Sequence, residues 1–470
     1  MARSGNLKLA LIGGGGVRTP LVIFGINESA HLLGAEELAL YDPDAERVRI
    51  MAELGRAIVA REGGSLRIRV ASSAEDAVAD TAFVLSSIRV GGINSRAQDE
   101  RTALAHGYPG QETTGPGGVA MALRTVGPSV EYARLVEKRS PNAWFINFTN
   151  PAGLITQAIS QYTGVRVVGI CDTPEELFHR IAAALRVPPE RVRCDYLGLN
   201  HLGWVRRVLL DGKDVLNRLL ADDAALDQLY HASLFDHELL RCLKLLPTEY
   251  LYFYYCRRRA LANQQITGTT RGEEVSRLNN KLISDLAHHL ELGNPEEAIA
   301  VYTDYLNQRS GSYMKLEASA GSAFDESNTL KEDPFRAATG YHRIALDVMK
   351  ALRGLEPRRL IVNVPNQGAI ATIAENDIVE VPCTIANDSI QPEACGELPE
   401  AVRGLVLSVK AYERAAIESA VTGSTELARK AMLLYPPIGE WEPTQGLLTN
   451  MLQHNPSLQY FHACSHDETT

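Results

Sequence analysis

The sequence predicts an α/β protein: an N-terminal Rossmann-like parallel-sheet domain followed by a larger mixed α+β C-terminal domain. Strand-like and helix-like segments alternate through the first half, the pattern of a parallel sheet covered by helices. A run of four glycines, "IGGGGVRTP" (12–20), joins the first strand to the first helix. Past about residue 171 the alternation gives way to strand pairs and long helical stretches. The expected division is therefore 1–170 and 171–470, with the second unit built against the first, since no linker or repeat separates them.

Each element has its own reason. Residues 7–13, "LKLALIG", form an apolar run suited to a buried strand, and 19–33 a helix with Thr19 placed to cap it and Pro20 in its first turn. A strand at 37–42 and a helix at 44–63 follow, then strands at 66–72, 81–88, 143–148 and 165–171. The stretch 106–122, "HGYPGQETTGPGGVAMA", is rich in Gly, Pro and Thr, which predicts a long functional loop. Residues 196–215 read as strands joined at Asp211-Gly212, 216–310 as mostly helical, 359–385 as strands and 398–435 as helix.

Composition narrows the class. With 45% hydrophobic and 22% charged residues the chain is globular, and a net charge of −10 argues against nucleic acid as a partner. No apolar stretch reaches the ~20 residues of a membrane span, so no membrane partner is expected. Seven cysteines at irregular spacing form no disulfide framework, and the start "MARSGNLKLA" has no signal-peptide pattern. A cytoplasmic location is the expectation.

Glycines at a strand-to-helix turn let backbone N–H groups approach a pyrophosphate at the helix N-terminus. Gly13, Gly14, Gly15 and Gly16, with Val17 and Arg18 after them, occupy that place, although the third fingerprint position falls on Arg18 or Thr19. Asp42 ends the second strand, where an acid accepts from the adenosine ribose and disfavours a 2′-phosphate. NAD is the expected cofactor.

Four more stretches carry unusual polar content: "NFTNPAG" (147–153), "GICDTPEEL" (169–177), "GLNHLGW" (198–204) and "PTEYLYFYYC" (247–256). Cys171 ends a strand, where ligands of open α/β sheets bind, and a thiolate with an imidazole makes a two-ligand metal site. Residue type alone favours plainer roles: a buried apolar thiol for Cys171, a satisfied core histidine for His201, and helix packing for the tyrosines.

Taken in order, "IGGGGVRTP", "GQETTGPGG", "NFTNPAG", "CDTPEEL", "GLNHLGW", "EYLYFYY" and "TRGEEV" resemble the NAD- and metal-dependent glycoside hydrolases of family 4, over about residues 7–435 and in particular their 6-phospho-β-glucosidase branch. This family stands outside the two-carboxylate scheme of most glycosidases. The resemblance implies hydride transfer from sugar C3 to NAD, removal of the acidified C2 proton, elimination at C1, water addition and return of the hydride. It implies Cys171 and His201 as metal ligands, with Mn²⁺ the family's usual ion, although a Cys/His pair also suits a softer divalent metal. It implies Tyr250 as the C2 base, with Tyr252, Tyr254 and Tyr255 as other registers. A tyrosine needs nearby positive charge to act at neutral pH, from the metal or Arg271. Asn150 and Glu112 are implied to hold the sugar, and Arg89 and Arg96 to lie beside the substrate.

Asp172 departs from the β-type pattern, where asparagine often follows the metal cysteine. It suits an acid to the leaving group, as in α-type members, or a helix cap. A phospho-α-glucosidase or α-galactosidase is thus one alternative, and a non-catalytic NAD-binding sensor another. A phosphorylated disaccharide or aryl glucoside is the implied substrate, and a homodimer or homotetramer the implied assembly.

Overall fold

The computed structural model describes residues 7–230, 233–311, 333–337 and 339–461. The polar C-terminal stretch 464–470, expected to fray, lies outside the described residues.

Six parallel strands build the first half: β1 (Leu7–Ile12), β2 (Ala35–Tyr41), β3 (Arg67–Val70), β4 (Phe83–Ser86), β5 (Trp144–Asn147) and β6 (Arg166–Gly169). Their order is β3-β2-β1-β4-β5-β6, the doubly wound arrangement in which ligands sit beyond the carboxyl ends, where the order reverses beside β1. Strands β1, β4 and β5 are almost wholly apolar and buried because helices cover both faces.

The sheet does not stop at β6. Strand β11 (Arg358–Pro365) pairs antiparallel with β6 through Asn363 and Gly169. It continues through β12 (Ile378–Ala386) to β7 (Val192–Leu199), β8 (Leu202–Leu210) and the two-residue β10 (Leu246–Pro247). With β9 (Lys213–Asp214) and β13 (Ser389–Pro392) at its side, it counts thirteen strands among the described residues. The expected helical stretches are present, ending in Glu400–Thr422 and Thr425–Leu434. No helix among the described residues is long and apolar enough to cross a membrane.

Three local expectations need correction. Helix α1 (Thr19–Leu33) has the expected bounds, but Arg18 is its N-cap residue, Thr19 lies inside it, and no side chain caps it. The expected loop at 106–122 is irregular only to Thr114, because helix α2 (Gly115–Arg139) begins there. Its glycines are needed for a close approach: a Cβ on Gly117 would lie 2.1 Å from the Gln111 carbonyl oxygen, and one on Gly118 would lie 2.5 Å from that of Thr113. The loop folds back on the first turn of its own helix. Lastly, the Asp211-Gly212 turn exists but leads only into β9, whereas the main hairpin turns at Asn200-His201, between the paired Leu199 and Leu202. His201 takes φ +60°, which few non-glycine residues adopt.

Candidate active site

A cavity of about 1530 Å³ opens beyond the carboxyl ends of the parallel strands. One side is the glycine turn, where Gly13, Gly15, Gly16, Val17, Arg18 and Asp42 all line it. Gly13 has φ +89°, and a Cβ there would lie 2.3 Å from the Ser87 carbonyl oxygen, so the turn needs glycine. Asp42 Oδ2 accepts from the Gly15 N–H at 3.0 Å and Oδ1 from the Asp44 N–H at 3.0 Å. Burial pushes the Asp42 carboxyl up, and these two N–H groups oppose it. Gly14 is the exception: it packs on β2, where a Cβ would lie 2.9 Å from that of Leu40, and it does not line the cavity. No side chain caps α1, but Pro20 has no N–H and the N–H groups of Thr19, Leu21 and Val22 already reach the Gly16 and Arg18 carbonyls, so what the cavity meets here is the glycine turn and the positive end of the helix.

The opposite wall is charged. Glu112 Oε2 accepts from Arg89 Nη1 at 2.6 Å and lies 2.9 Å from Arg96 Nη1. Burial would raise its pKa, yet the two guanidiniums hold it well below the usual carboxylate range. Arg96 is fixed by Glu100, whose other oxygen accepts the Gly272 N–H at 2.6 Å. Arg271 lines the cavity too, but its guanidinium is directed to Glu274 Oε2 at 2.6 Å and the Arg309 carbonyl at 2.7 Å. Arg96 also stands close enough for its charge to be felt by Tyr250. Asn150 also lines the cavity, and its buried Oδ1 has no partner among the described residues.

Tyr250 sits in a short helical turn (Glu249–Leu251) after β10 and is the one tyrosine of its run on this cavity. Tyr252 is fully buried, and Tyr254 bonds the Tyr435 hydroxyl at 3.1 Å. The Tyr250 ring stacks on His201, with centroids 3.7 Å apart and planes 9° from parallel. His201 Nδ1 lies 3.1 Å from Thr113 Oγ1, and its buried Nε2 has no partner among the described residues. Burial holds this imidazole down to about 3, with Glu112 opposing, so it is neutral.

Cys171 and His201 do not themselves line the cavity, contrary to expectation. The ring of Tyr250 covers His201, and Cys171, 2% exposed, turns its thiol to Thr173 Oγ1 at 3.4 Å. Burial, Glu380 and Asp172 together push that thiol well up. Among the described residues no group of three or more His, Cys, Asp or Glu side chains could hold a metal. The orphaned Nε2 of a neutral imidazole, and a thiol once deprotonated, are each donor types that suit a divalent cation.

Asp172 is the N-cap residue of helix α3 (Thr173–Ala184), but its side chain does not cap it. It lines the cavity, with Arg18 Nη1 3.8 Å away. Burial pushes the Asp172 carboxyl up to about 6, against the pull of Arg18. Arg18, at the position of the missing third glycine, stands 4.4 Å over the ring of Tyr341, which also lines the cavity.

Residues 8–187 match the family model described as "Family 4 glycosyl hydrolase", and 196–438 match its C-terminal domain. The chain belongs to family 4 of the glycosyl hydrolases. It is 31% identical to a probable 6-phospho-β-glucosidase of Bacillus subtilis, over 97% of this chain and 98% of that one. A Thermotoga maritima 6-phospho-β-glucosidase structure with manganese, NAD⁺ and glucose-6-phosphate superposes with a TM-score of 0.78 at 27% identity, covering 96% and 98% of the two chains. A 6-phospho-α-glucosidase from gut microorganisms, in complex with NAD and glucose-6-phosphate, superposes at 0.77 and 26% identity over 96% and 97%.

Sequence reading missed two members of this family 4 site. Arg309 lines the cavity, its Nη1 donating to Tyr305 Oη at 2.6 Å, and nothing in "LNQRSG" marks it. Glu380 is a fully buried carboxylate that accepts from Tyr196 Oη (2.6 Å), Asn200 Nδ2 (3.1 Å) and Asn363 Nδ2 (3.0 Å). A single acid inside the apolar strand run "IVEVP" (378–382) was its signal.

Proposed function

We propose that this chain hydrolyses 6-phospho-β-glucosides, using NAD held at the glycine turn and a divalent cation, Mn²⁺ by analogy with the relatives, held by Cys171 and His201. One observation carries the reading: a single cavity joins a dinucleotide cradle ending at Asp42 to a sugar-sized wall bearing Asn150, Glu112, Asp172 and Tyr250. When bound, NAD takes up and returns a hydride, and the cation polarises the oxygen on which negative charge develops.

The protein supplies the rest. The glycine turn lets the pyrophosphate come close to the positive end of α1, and Asp42 accepts from a ribose hydroxyl. Asn150 Oδ1, without a partner among the described residues, accepts a sugar hydroxyl. Glu112, locked as an anion by Arg89 and Arg96, accepts another and orients the ring. Arg309 adds a third guanidinium to this wall, and together they suit a phosphate, which several planar donors hold best. Tyr250, stacked flat on His201 and within reach of the Arg96 charge, takes the C2 proton. Asp172 gives a proton to the departing oxygen.

Asp172 also supports a second reading, a 6-phospho-α-glucosidase, because that carboxyl lines the cavity and an α-type relative superposes as well as the β-type one. Purified protein with NAD, Mn²⁺ and reductant, offered p-nitrophenyl β-glucoside 6-phosphate, its α-anomer and the unphosphorylated β-glucoside, separates these. The β-phosphate should turn over fastest. Preference for the α-anomer selects the second reading, and preference for the unphosphorylated sugar contradicts both.

A further inference from the structure

We propose that Gln111 and Thr113 fix the tautomer of His201, so that Nε2 rather than Nδ1 carries the lone pair offered to a divalent cation. The proposal rests on His201 being the cation ligand assigned above.

Hydrogen-bond donors decide it. The Gln111 side chain meets the N–H of Thr113 at 2.5 Å and that of Thr114 at 2.8 Å. Both groups can only donate, so the atom facing them is the amide oxygen. The same Oε1 lies 3.0 Å from the Thr113 hydroxyl and 3.2 Å from that of Thr114. Thr113 has one hydroxyl proton, and an acceptor-only oxygen is where it goes. Its own Oγ1, 3.1 Å from His201 Nδ1, is then left as an acceptor, and Nδ1 must carry the ring proton. With the proton on Nδ1, the buried Nε2, which has no partner among the described residues, is left with its lone pair free for a cation.

The parts that hold this relay are rigid. Gln264 closes two hydrogen bonds of 2.8 Å with the Gly110 backbone, and Gly118 packs beneath the Thr113 carbonyl. From the other side, Asn200 ties the His201 turn to Glu380. Gln111 and Thr113 are positioning residues, acting on the cation through the imidazole.

The test titrates the NAD-saturated full chain with Mn²⁺, reading free Mn²⁺ by electron paramagnetic resonance. Thr113→Val, of nearly the same shape, should weaken Mn²⁺ binding by roughly 10–100-fold, the usual cost of losing such a partner, while Thr113→Ser should stay near wild type. Independently, long-range ¹H–¹⁵N spectra of histidine-labelled, metal-free protein should show His201 protonated on Nδ1, with Nε2 gaining proton character in Thr113→Val. Wild-type affinity in Thr113→Val, or an Nε2-protonated ring in the wild type, overturns the proposal. His201→Ala separates the two levels: if it binds Mn²⁺ as tightly as wild type, the ligand assignment itself fails. If it loses binding while Thr113→Val does not, only the relay fails.

Discussion

Replacing Glu380 tests how the sheet holds the His201 turn. Its carboxylate is the shared acceptor of Tyr196 on β7, Asn200 in the hairpin turn and Asn363 on β11, and it is buried. Glu380→Ala orphans the Tyr196 hydroxyl and the Asn200 amide, while Asn363 keeps a long bond of 3.4 Å to the Gly169 carbonyl. At ~1–3 kcal/mol per stranded buried donor, plus the space left by the side chain, the loss should be roughly 3–5 kcal/mol. Glu380→Gln keeps one oxygen for the two asparagines, and the Tyr196 hydroxyl can turn to accept from the new amide. It should cost about 1 kcal/mol, since the lost charge assistance is partly offset by no longer burying a carboxylate. Urea unfolding followed at two wavelengths gives the comparison. Two variants within ~0.5 kcal/mol of each other, or Gln the worse, would refute the shared-acceptor reasoning.

Other expectations follow from the same geometry. His342 lines the cavity with its imidazole held down to about 4, mainly by burial and also by Arg343. As pH falls below 6.5 only the unfolded chain gains that proton, so stability is lost down to about 4, by up to ~3 kcal/mol. His342→Gln should flatten the pH dependence of urea stability between 6.5 and 4, and an unchanged slope would count against it. Gly118→Ala, whose Cβ meets the Thr113 carbonyl oxygen at 2.5 Å, should cost about 1–3 kcal/mol and lower kcat/KM, read by thermal melts and steady-state rates. Asp42→Ala should weaken NAD binding by roughly tenfold, ~1.4 kcal/mol, and narrow the preference over NADP, measured by fluorescence titration.

The fold was legible because its signals are local. Apolar strands, the glycine turn and Asp42 state the parallel sheet and its cradle within about 35 residues of sequence. The start of α2 was not, because Gly117 and Gly118 are read as breakers unless one knows that the loop packs against them. The site was half legible. Asn150, Asp172, Glu112, Arg96 and Tyr250 sit in dense polar motifs and meet on one cavity. Arg271 also lines that cavity, but sequence order says nothing about Glu274 tying its guanidinium down, nor about Arg96 standing near Tyr250. Cys171 and His201 were expected on the surface of the crevice, and only the stacked ring of Tyr250 and the Thr173 hydroxyl explain why they lie just beneath it. Glu380 acts through a partner 184 residues away in the chain, and Gln111 through Thr113 on a histidine 88 residues further on, distances no motif spans.

The decisive measurement concerns a hydride that is borrowed and given back. Protein stripped of bound NAD should lose hydrolysis of p-nitrophenyl β-glucoside 6-phosphate and regain it on adding NAD, with no NADH accumulating at 340 nm over many turnovers. Undiminished hydrolysis by the stripped protein, or NADH formed mole for mole with product, would contradict the role given to the glycine turn.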